Sequence, residues 1–537
     1  MNTNNFDEIK KSLEKVAKKT LPRILTQFCR DPNRKEFGCV DRNWWHYKIR
    51  DYPSIILQQA ALTIHTACQL EAKYSNKFNN LINASINFWN KRAKKYGAFE
   101  EYYPWEEGYP PLAFSTLAIM IVINERSLNK KLYKEAVAKA AQQLKSRFEN
   151  KAANQQIAGL AALAHIKNLY PELVSNDEFE KLSLRSLSLQ NPEGWFYEYG
   201  GPDLGYLSVT IDCLWDLYDA TNDIKFIKSA EKSLFFIYYL ISWSNGNNIG
   251  IHNSRNTDYI VPYGICRFLE FKDRNSEMAF SILNKVFRNS DNENHFLSSI
   301  DDRYWCHYIG TSIYRALKIM LNNVNTFKQK SPREDFKYFH HSGYLLIKDT
   351  KNKIIISTKK GGILSVYQKN KFFSDFGWHF IYKKDELVNN FWSHKWESNL
   401  KQNINNFEVN IFGNLYSHRP VYSNPLNHFI LRISSLLFGK FIIKFLKNKF
   451  IFKKNSNKFL FTRNIKIYEE KIIIKDRFST NDLVKLSRAP RSSKRHVASS
   501  DNSHEEDFKK NKFSFYFKKI SNEKKEVITK YLFNQER

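Results

Sequence analysis

Residues 193–206, EGWFYEYGGPDLGY, hold the densest set of chemically useful side chains in this chain. Aromatic rings can stack on sugar faces, carboxyl and phenol groups can move protons, and glycines let the backbone turn sharply. Functional side chains are often carried by such loops between rigid elements. Trp195, Tyr199 and Tyr206 are therefore candidate contacts for a sugar substrate, and the titratable groups of the loop could move a proton. The alternative is an interhelical loop that is packed by its own rings.

Residues 39–48, CVDRNWWHYK, form a second aromatic and charged cluster. Trp45 and His46 could stack on sugar rings, and Arg42 could pair with carboxylates. The alternative interpretation is an N-terminal segment that is held in place by aromatic packing.

Two polar segments add further candidates. Asn154 and Gln155 open a helical pattern and could donate hydrogen bonds to a ligand, although Asn is also a favoured helix N-cap. Residues 250–258, GIHNSRNTD, place His252, Arg255 and Asn256 in one polar loop. A single His is more often structural than catalytic, so this loop also has a purely structural interpretation.

The elements that must position these loops change character along the chain. From about residue 53 to residue 321 apolar residues recur at helical spacing, which predicts about eleven helices in series. Helical hairpins in series can bury their inner faces by closing into a solenoid or a toroid. After Ser331 short β-branched and aromatic runs alternate with polar turns, as in GYLLIKDTKNKIIISTKKGGILSVY, which predicts strands. We expect an α+β protein with a helical domain at 1–330 and a β domain at 331–537.

The most apolar run of the chain is residues 429–446, FILRISSLLFGKFIIKFL. Arg432, Lys440 and Lys444 interrupt it, so it is too charged for a membrane-spanning helix. We expect a buried strand pair. The alternative is a basic amphipathic segment that lies on a membrane surface, so that peripheral membrane contact is possible.

The formal net charge is +30, and residues 331–537 carry 41 Lys and Arg against 19 Asp and Glu. This balance favours a polyanionic partner, although Lys-rich composition alone can produce a basic surface. The six cysteines have no metal-binding or disulfide-framework spacing, and no glycine-rich phosphate loop or metal motif is present. We therefore predict no cofactor and no metal. No secretory leader is visible at the start of the sequence, which favours a cytoplasmic location.

The order of these segments resembles the heparinase II/III-like superfamily. NQQIAGLAALA looks like the helix start that carries its carboxylate-neutralising Asn, EGWFYEYGGPDLGY looks like the loop with its catalytic Tyr, and GYLLIKDTKNKIIIST looks like the opening of its β domain. The DRNWWHYK and HNSRNTDY segments are most similar to a subgroup found among bacterial surface-polysaccharide biosynthesis proteins. The resemblance implies an N-terminal (α/α) toroid, a C-terminal antiparallel β-sandwich and an acidic polysaccharide or oligosaccharide as the partner.

The chemistry that this resemblance implies is β-elimination from a uronate-containing glycan. The proton at C5 is barely acidic until the neighbouring carboxylate is neutralised, a role that falls to Asn154 or Gln155, with Arg255 or Arg42 adding charge. Tyr206 or His252 would then move the proton. The sequence departs from the family pattern in one place, because the histidine expected from the β domain is missing and Tyr367 or Lys369 stands there. His340, His341 and His379 are nearby alternatives.

Three other functions stay open. A non-catalytic glycan-binding or assembly protein would use the same basic surface. A glycoside hydrolase would need two carboxylates, such as Glu198 with Asp203 or Glu107. Nucleic-acid binding is disfavoured because no known nucleic-acid-binding motif is present. The sequence does not indicate an oligomeric state.

Overall fold

The structure is a computed structural model that describes residues 3–246, 249–271, 273–323, 327–349, 351–368, 372–382, 385–403, 406–418, 424–446, 456–479, 485–488, 515–521 and 524–532. The helices are α1 Thr3–Gln27, α2 Arg42–Trp45, α3 Ala60–Leu70, α4 Ala72–Tyr96, α5 Tyr109–Glu125, α6 Lys134–Ser146, α7 Ala153–Leu169, α8 Asn176–Leu187, α9 Leu204–Thr221, α10 Ile224–Trp243, α11 Tyr263–Arg267, α12 Arg274–Phe287, α13 Asp302–Trp305, α14 Tyr308–Asn322, α15 Pro425–Phe438 and α16 Lys440–Leu446.

The strands are β1 Phe336–Phe339, β2 Tyr344–Lys348, β3 Lys353–Ser357, β4 Ile363–Tyr367, β5 Phe372–Asp375, β6 Trp378–Tyr382, β7 Asp385–Val388, β8 Glu397–Asn403, β9 Asn406–His418, β10 Ser456–Tyr468, β11 Lys471–Phe478, β12 Lys485–Arg488, β13 Phe515–Ser521 and β14 Lys524–Leu532. The change from helices to strands follows the predicted order. The last helix of the first run ends at Asn322 and the first strand begins at Phe336.

The helices of the first run close into a ring. Helix α1 packs against α12, α13 and α14 at the other end of the run. Ser12 Oγ lies 2.8 Å from Ser290 Oγ, and Arg23 Nε donates to Asp302 at 2.7 Å. The predicted helical toroid is therefore confirmed. Helix α1 itself was not predicted, although Phe6, Ile9, Leu13 and further apolar residues at helical spacing form its buried face.

All strand pairs that the structure describes are antiparallel, and they form two sheets. The first sheet has the order β1-β2-β3-β4-β5, and the second has the order β12-β6-β7-β9-β10-β11-β14-β13, with β8 on β9. Leu345, Ile347, Ile354 and Ile356 of the first sheet share a hydrophobic core with Val409, Ile411, Phe461 and Ile465 of the second. Packing of two sheets face to face confirms the predicted antiparallel β-sandwich.

The first sheet is also covered on its other face. Alternate residues of its strands, among them Tyr344, Leu346 and Ile355, belong to the core of the helical unit. Because side chains of a strand point alternately to its two faces, the first sheet forms the middle layer between the helices and the second sheet. The domain boundary at residue 330 stays a prediction, since one core extends across it.

A buried ion pair between neighbouring strands of the second sheet also contacts the segment that leads into β4 of the first sheet. Arg463 of β10 donates to Asp476 from Nε and Nη2, both at 2.8 Å, and its Nη1 donates to the Gly362 carbonyl at 2.9 Å. Trp378 Nε1 donates to the same carboxylate at 2.6 Å. Arg463 and Asp476 are 0% exposed, so the pair is stabilised by hydrogen bonds to all of these partners.

The expectation for residues 429–446 is wrong in its favoured form. The segment forms the helices α15 and α16 and not a buried strand pair. Most of its large apolar side chains are exposed, including Phe429, Leu437 and Phe441. No helix among the described residues is long and apolar enough to cross a membrane. The six cysteines are buried and unpaired.

Candidate functional site

Asp203 joins the two loops that the sequence singled out. It caps helix α9 by accepting from the Tyr206 backbone N–H at 3.2 Å. The same carboxylate accepts from the Arg255 backbone N–H at 3.1 Å and from the Thr257 hydroxyl. Burial raises the pKa of Asp203 to about 6, against the effect of these hydrogen bonds. One side chain therefore fixes both Tyr206 and Arg255 in place.

Tyr206 lies in a cluster of tyrosines. Its ring packs edge-on against Tyr259, with centroids 6.0 Å apart, and the Tyr259 and Tyr308 hydroxyls are 2.9 Å apart. Burial, together with the neighbouring Tyr308, Tyr199 and Tyr304 hydroxyls, raises the pKa of Tyr206 well above its usual value. The positive charge of Arg255 acts in the opposite direction. Tyr206 is consequently a phenol at neutral pH, and a phenol can donate a proton.

Arg255 is the group in this cluster that is available for an anion. Its guanidinium lies 4.0 Å from the centroid of the Tyr199 ring, and the residue is only 9% exposed. Nε and Nη2 have no hydrogen-bond partner among the residues that the structure describes. Two unpaired N–H donors on a buried cation are costly, and a planar carboxylate satisfies both.

Gln155 belongs to the same group. Its Nε2 donates to the Tyr199 hydroxyl at 3.3 Å, and its Oε1 is buried without a partner in the described part of the chain. Tyr199 has a φ of +54°, a left-handed conformation that is uncommon for a non-glycine residue and clusters at functional sites. The structure thus brings together four of the candidate residues, Tyr206, Arg255, Tyr199 and Gln155, and their roles toward a substrate stay predictions.

Asn154 is placed differently from its expected role. Its side-chain Nδ2 donates to Glu198 at 2.8 Å, and its backbone N–H donates to the other oxygen of that carboxyl at 2.7 Å. Burial raises the pKa of Glu198 well above its usual value, and the bonds from Asn154 oppose that shift. The amide of Asn154 is therefore engaged inside the protein. Neutralisation of a substrate carboxylate by Asn154 stays a prediction, with this contact against it.

His252 is completely buried between the toroid and the first sheet. Nδ1 lies 2.6 Å from Ser357 Oγ and Nε2 lies 2.9 Å from Ser365 Oγ, so both ring nitrogens are engaged. Burial, and then the charge of Lys360, lowers the pKa of His252 well below its usual value. This environment is that of a neutral structural imidazole. The catalytic role expected of His252 stays untested, and the geometry weighs against it.

Lys360 explains why the 250–258 loop sits where it does. Its buried Nζ donates to the Ile251 carbonyl at 2.6 Å and also to the Asn253 carbonyl and Asn256 Oδ1. Asn256 thus contacts the first sheet through its side-chain oxygen. Its predicted contact with substrate stays a prediction. Lys360 was missed because it lies about a hundred positions away from the loop in sequence.

Trp195 lies in the core. It is 0% exposed, its Nε1 donates to Glu193 at 3.0 Å, and its ring packs on Trp392 with centroids 6.3 Å apart. A buried ring leaves no face for a sugar. The position of Trp195 therefore fits a loop that is packed by its own rings, whereas the position of Tyr199 fits a loop that contacts a ligand. The predicted substrate contact of Trp195 has no support in this geometry.

The 39–48 cluster is centred on α2. Trp45 is half-buried and its Nε1 donates to the Gln27 carbonyl at 2.7 Å. Arg42 stacks over Tyr47 at 5.2 Å, and His46 is exposed, with its ring centroid 5.3 Å from that of Trp45. The cluster also contacts distant elements, because Trp44 packs against Phe88 of α4 and Asp41 pairs with Arg303 of α13 at 2.9 Å. The substrate contacts predicted for Arg42, Trp45 and His46 stay predictions.

The histidines considered as substitutes for the missing β-domain residue are dispersed. His379 pairs with Glu386 at 3.1 Å on the second sheet. His340 and His341 lie between β1 and β2, in the turn that joins them. Tyr367 is buried in the first sheet. Lys369 lies outside the described residues. Among the described residues no group of three or more His, Cys, Asp or Glu could hold a metal ion.

Several residues of the site had not been singled out. Tyr259, Tyr304 and Tyr308 contribute rings or hydroxyls to the cluster around Tyr206. The segment DDRYWCHY at 301–308 has the same mixture of aromatic and charged residues as the loops that were recognised. That composition was the available signal.

No family model matches this chain, and no curated protein matches it. Among solved structures it is similar to Paenibacillus xanthan lyase, with 12% identity and a TM-score of 0.48 over 89% of this chain and 46% of that one. It is also similar to heparinase III, with 11% identity and a TM-score of 0.42 over 88% and 74% of the two chains.

A third similar structure is the chondroitin AC lyase of Streptomyces coelicolor, with 8% identity and a TM-score of 0.44 over 88% and 66%. The chain spans about half of the xanthan lyase in length. The solved structures that are similar to this chain thus also include heparinase-like polysaccharide lyases. At these identities the likeness concerns the overall fold, and no residue role follows from it.

Proposed function

We propose that the cluster around Arg255 binds the carboxylate of a uronate-containing acidic glycan. The observation that carries the proposal is the buried guanidinium with two unpaired N–H donors beside Tyr199 and Tyr206. A carboxylate fits this vacancy in charge and in planar geometry, and tyrosine rings suit the apolar face of a sugar. The excess of positive charge in the chain supports an acidic partner.

We further propose that Tyr206 catalyses β-elimination of the bound glycan. Arg255 would neutralise the carboxylate so that the C5 proton becomes acidic. The Tyr206 oxygen, as the tyrosinate, would take that proton, and the resulting phenol would return it to O4 as the C4–O4 bond breaks, which leaves a C4–C5 double bond and regenerates the tyrosinate. The raised pKa of Tyr206 keeps the resting side chain protonated. Turnover is therefore expected to be slow and to increase with pH.

Glycan binding without turnover is the second candidate. The engagement of Asn154 by Glu198 and the burial of His252 favour it, because neither amide nor imidazole is then free to assist proton transfer. Hydrolysis is not favoured, because Glu198 and Asp203 are 0% and 1% exposed and both carboxyls accept internal hydrogen bonds. The cytoplasmic location stays a prediction that cell fractionation would test.

Absorbance at about 232 nm separates the two candidates, because the double bond left by elimination absorbs there. The purified parent protein and its Tyr206→Phe variant are each incubated with a panel of uronate-containing polysaccharides. We expect a slow rise that the substitution abolishes while binding is retained. Binding with no rise in the parent protein would establish the second candidate. If the parent protein binds none of these polysaccharides and produces no rise in absorbance, both candidates are contradicted.

A further inference from the structure

Helix α15 carries its apolar face outward. Leu426, Phe429, Ile430, Ile433, Leu436 and Leu437 recur at helical spacing, so they share one stripe of the helix, and each is 43–68% exposed. The opposite side of the helix presents Ser435, which is 0% exposed. A surface helix that packs on its own protein shows the reverse arrangement. The apolar stripe is therefore available to an apolar phase outside the chain.

Helix α16 extends the same surface. Phe441 and Phe445, one turn apart, are 69% and 59% exposed, and Phe438 at the end of α15 is 59% exposed. Ile442 is buried on the other side. A patch with this many large exposed side chains exceeds the scattered apolar residues of an ordinary surface. We call the exposed apolar side chains of α15 and α16 the apolar ridge.

The ridge is attached to the toroid through polar contacts. Arg432 Nη1 pairs with Asp51 Oδ2 at 2.6 Å, and the Trp105 carbonyl lies beside Gly439. Ile49 and Trp105, which flank these two contacts in sequence, are themselves 69% and 48% exposed. These contacts leave the apolar stripe uncovered. The ridge and its exposed neighbours thus face away from the core of the molecule.

The sequence around the ridge has a single sign of charge. Residues 424–458 contain eight Lys and Arg and no Asp or Glu. Interfacial helices combine an apolar face with basic residues, because the face enters the acyl boundary and the cations attract anionic headgroups. A second copy of this chain would bring the same positive charge against the first, so self-association through the ridge is disfavoured.

We propose that the apolar ridge docks this protein on the surface of a membrane that contains anionic lipids. The proposal does not depend on the glycan site, because vesicles without glycan test it. The arrangement would place the 99–108 segment, which adjoins Gly439 through Trp105, at the membrane surface.

Cosedimentation of the full chain with vesicles tests the proposal. Vesicles of phosphatidylcholine with about one third phosphatidylglycerol are compared with pure phosphatidylcholine, at low salt and at high salt. We expect binding to the anionic vesicles that weakens with salt, and much weaker binding to the neutral ones. Phe429→Ser with Leu437→Ser should reduce binding at least tenfold, since these side chains are 62% and 68% exposed and carry no internal packing.

The matched control is Leu184→Ser with Leu132→Ser, two leucines that are each 60% exposed but lie outside the ridge. This variant should bind like the parent. Three results would overturn the proposal: no binding to anionic vesicles, equal binding by both double variants, or a stable dimer in light scattering that the ridge variant alone dissociates and that vesicles fail to disrupt.

Discussion

His252 and Arg255 lie three residues apart in one loop, yet their polar atoms have opposite environments. Both ring nitrogens of His252 are engaged by serines of the first sheet, whereas two N–H groups of Arg255 have no partner among the described residues. The half of the loop that faces the sheet serves as an attachment to the β unit. The half that faces the tyrosine cluster retains hydrogen-bonding capacity for a ligand, so burial by itself does not identify a functional residue.

The largest expected effect on stability is at His252. His252→Ala removes a packed ring and leaves Ser357 and Ser365 without their partner, which should lower the free energy of unfolding by about 3 kcal/mol. Urea denaturation measures the loss. His46→Ala, at an exposed histidine, is the control and should change stability by less than about 0.5 kcal/mol. A stable His252→Ala protein with an altered pH–rate profile would instead make His252 catalytic.

The pH dependence of stability separates Asp203 from an ordinary capping carboxylate. Its folded pKa of about 6 lies above the usual value of 3.8, so its contribution to stability is full below pH 4 and is lost as the pH rises through 6. At about 1.4 kcal/mol per pH unit the loss is about 3 kcal/mol. Asp203→Asn should remove this component from the pH dependence of the free energy of unfolding, measured between pH 4 and 7.

Asp223 provides the control for this experiment. It also caps a helix, α10, but its pKa is lowered, with Lys225 as the stabilising partner. Its contribution is therefore present above its unfolded pKa and is lost as the pH falls. Asp223→Asn should change the pH dependence with the opposite sign. If the free energy of unfolding of the two variants depends on pH in the same way, Asp203 is not a buried ionisable group.

In the comparison of His252 with Arg255, Arg255 is the residue proposed to bind the ligand. Arg255→Ala should weaken binding of a uronate oligosaccharide by about 2 kcal/mol, or about 30-fold, because a charge-assisted contact is lost. Isothermal titration calorimetry measures it. Arg185→Ala is a suitable control, since Arg185 also stacks on an aromatic ring, Phe148 at 3.8 Å, but lies at an exposed position. Equal losses in the two variants would indicate a non-specific charge effect.

Gln155 gives the smallest expected effect. Gln155→Ala removes the hydrogen bond to the Tyr199 hydroxyl and leaves the ring that supports Arg255 less constrained. We expect about 1 kcal/mol weaker uronate binding, or about fivefold, with unchanged thermal stability. A loss as large as that of Arg255→Ala would mean that Gln155 contacts the ligand itself.

Much of this arrangement was accessible from sequence because it is local. Helical periodicity predicted the helices, β-branched and aromatic runs predicted the strands, and loop composition selected Tyr199 and Arg255. The family resemblance implied the toroid and the role of Tyr206. The exceptions depend on partners that are distant in sequence. Lys360, Ser357 and Ser365 determine the state of the 250–258 loop from about a hundred residues away, and Glu198 engages Asn154 across 44 positions.

The failure at residues 429–446 has a different cause. Its apolar residues were numerous enough to suggest burial, and a short apolar run does not distinguish strand from helix. The stripe on α15 was readable at helical spacing, but spacing does not tell which way the stripe faces, and here Arg432 contacts Asp51, some 380 residues earlier. Where an amphipathic helix points is decided by tertiary contacts.

The most direct test of the central claim is a binding titration with one uronate oligosaccharide and its carboxyl-reduced counterpart, on the parent protein and on Arg255→Ala. The two sugars differ only in the group that Arg255 is proposed to hold. We predict that the parent prefers the carboxylate form by about 30-fold and that Arg255→Ala loses this preference. Equal affinity of the parent for both sugars would contradict the assignment of Arg255 as the carboxylate site.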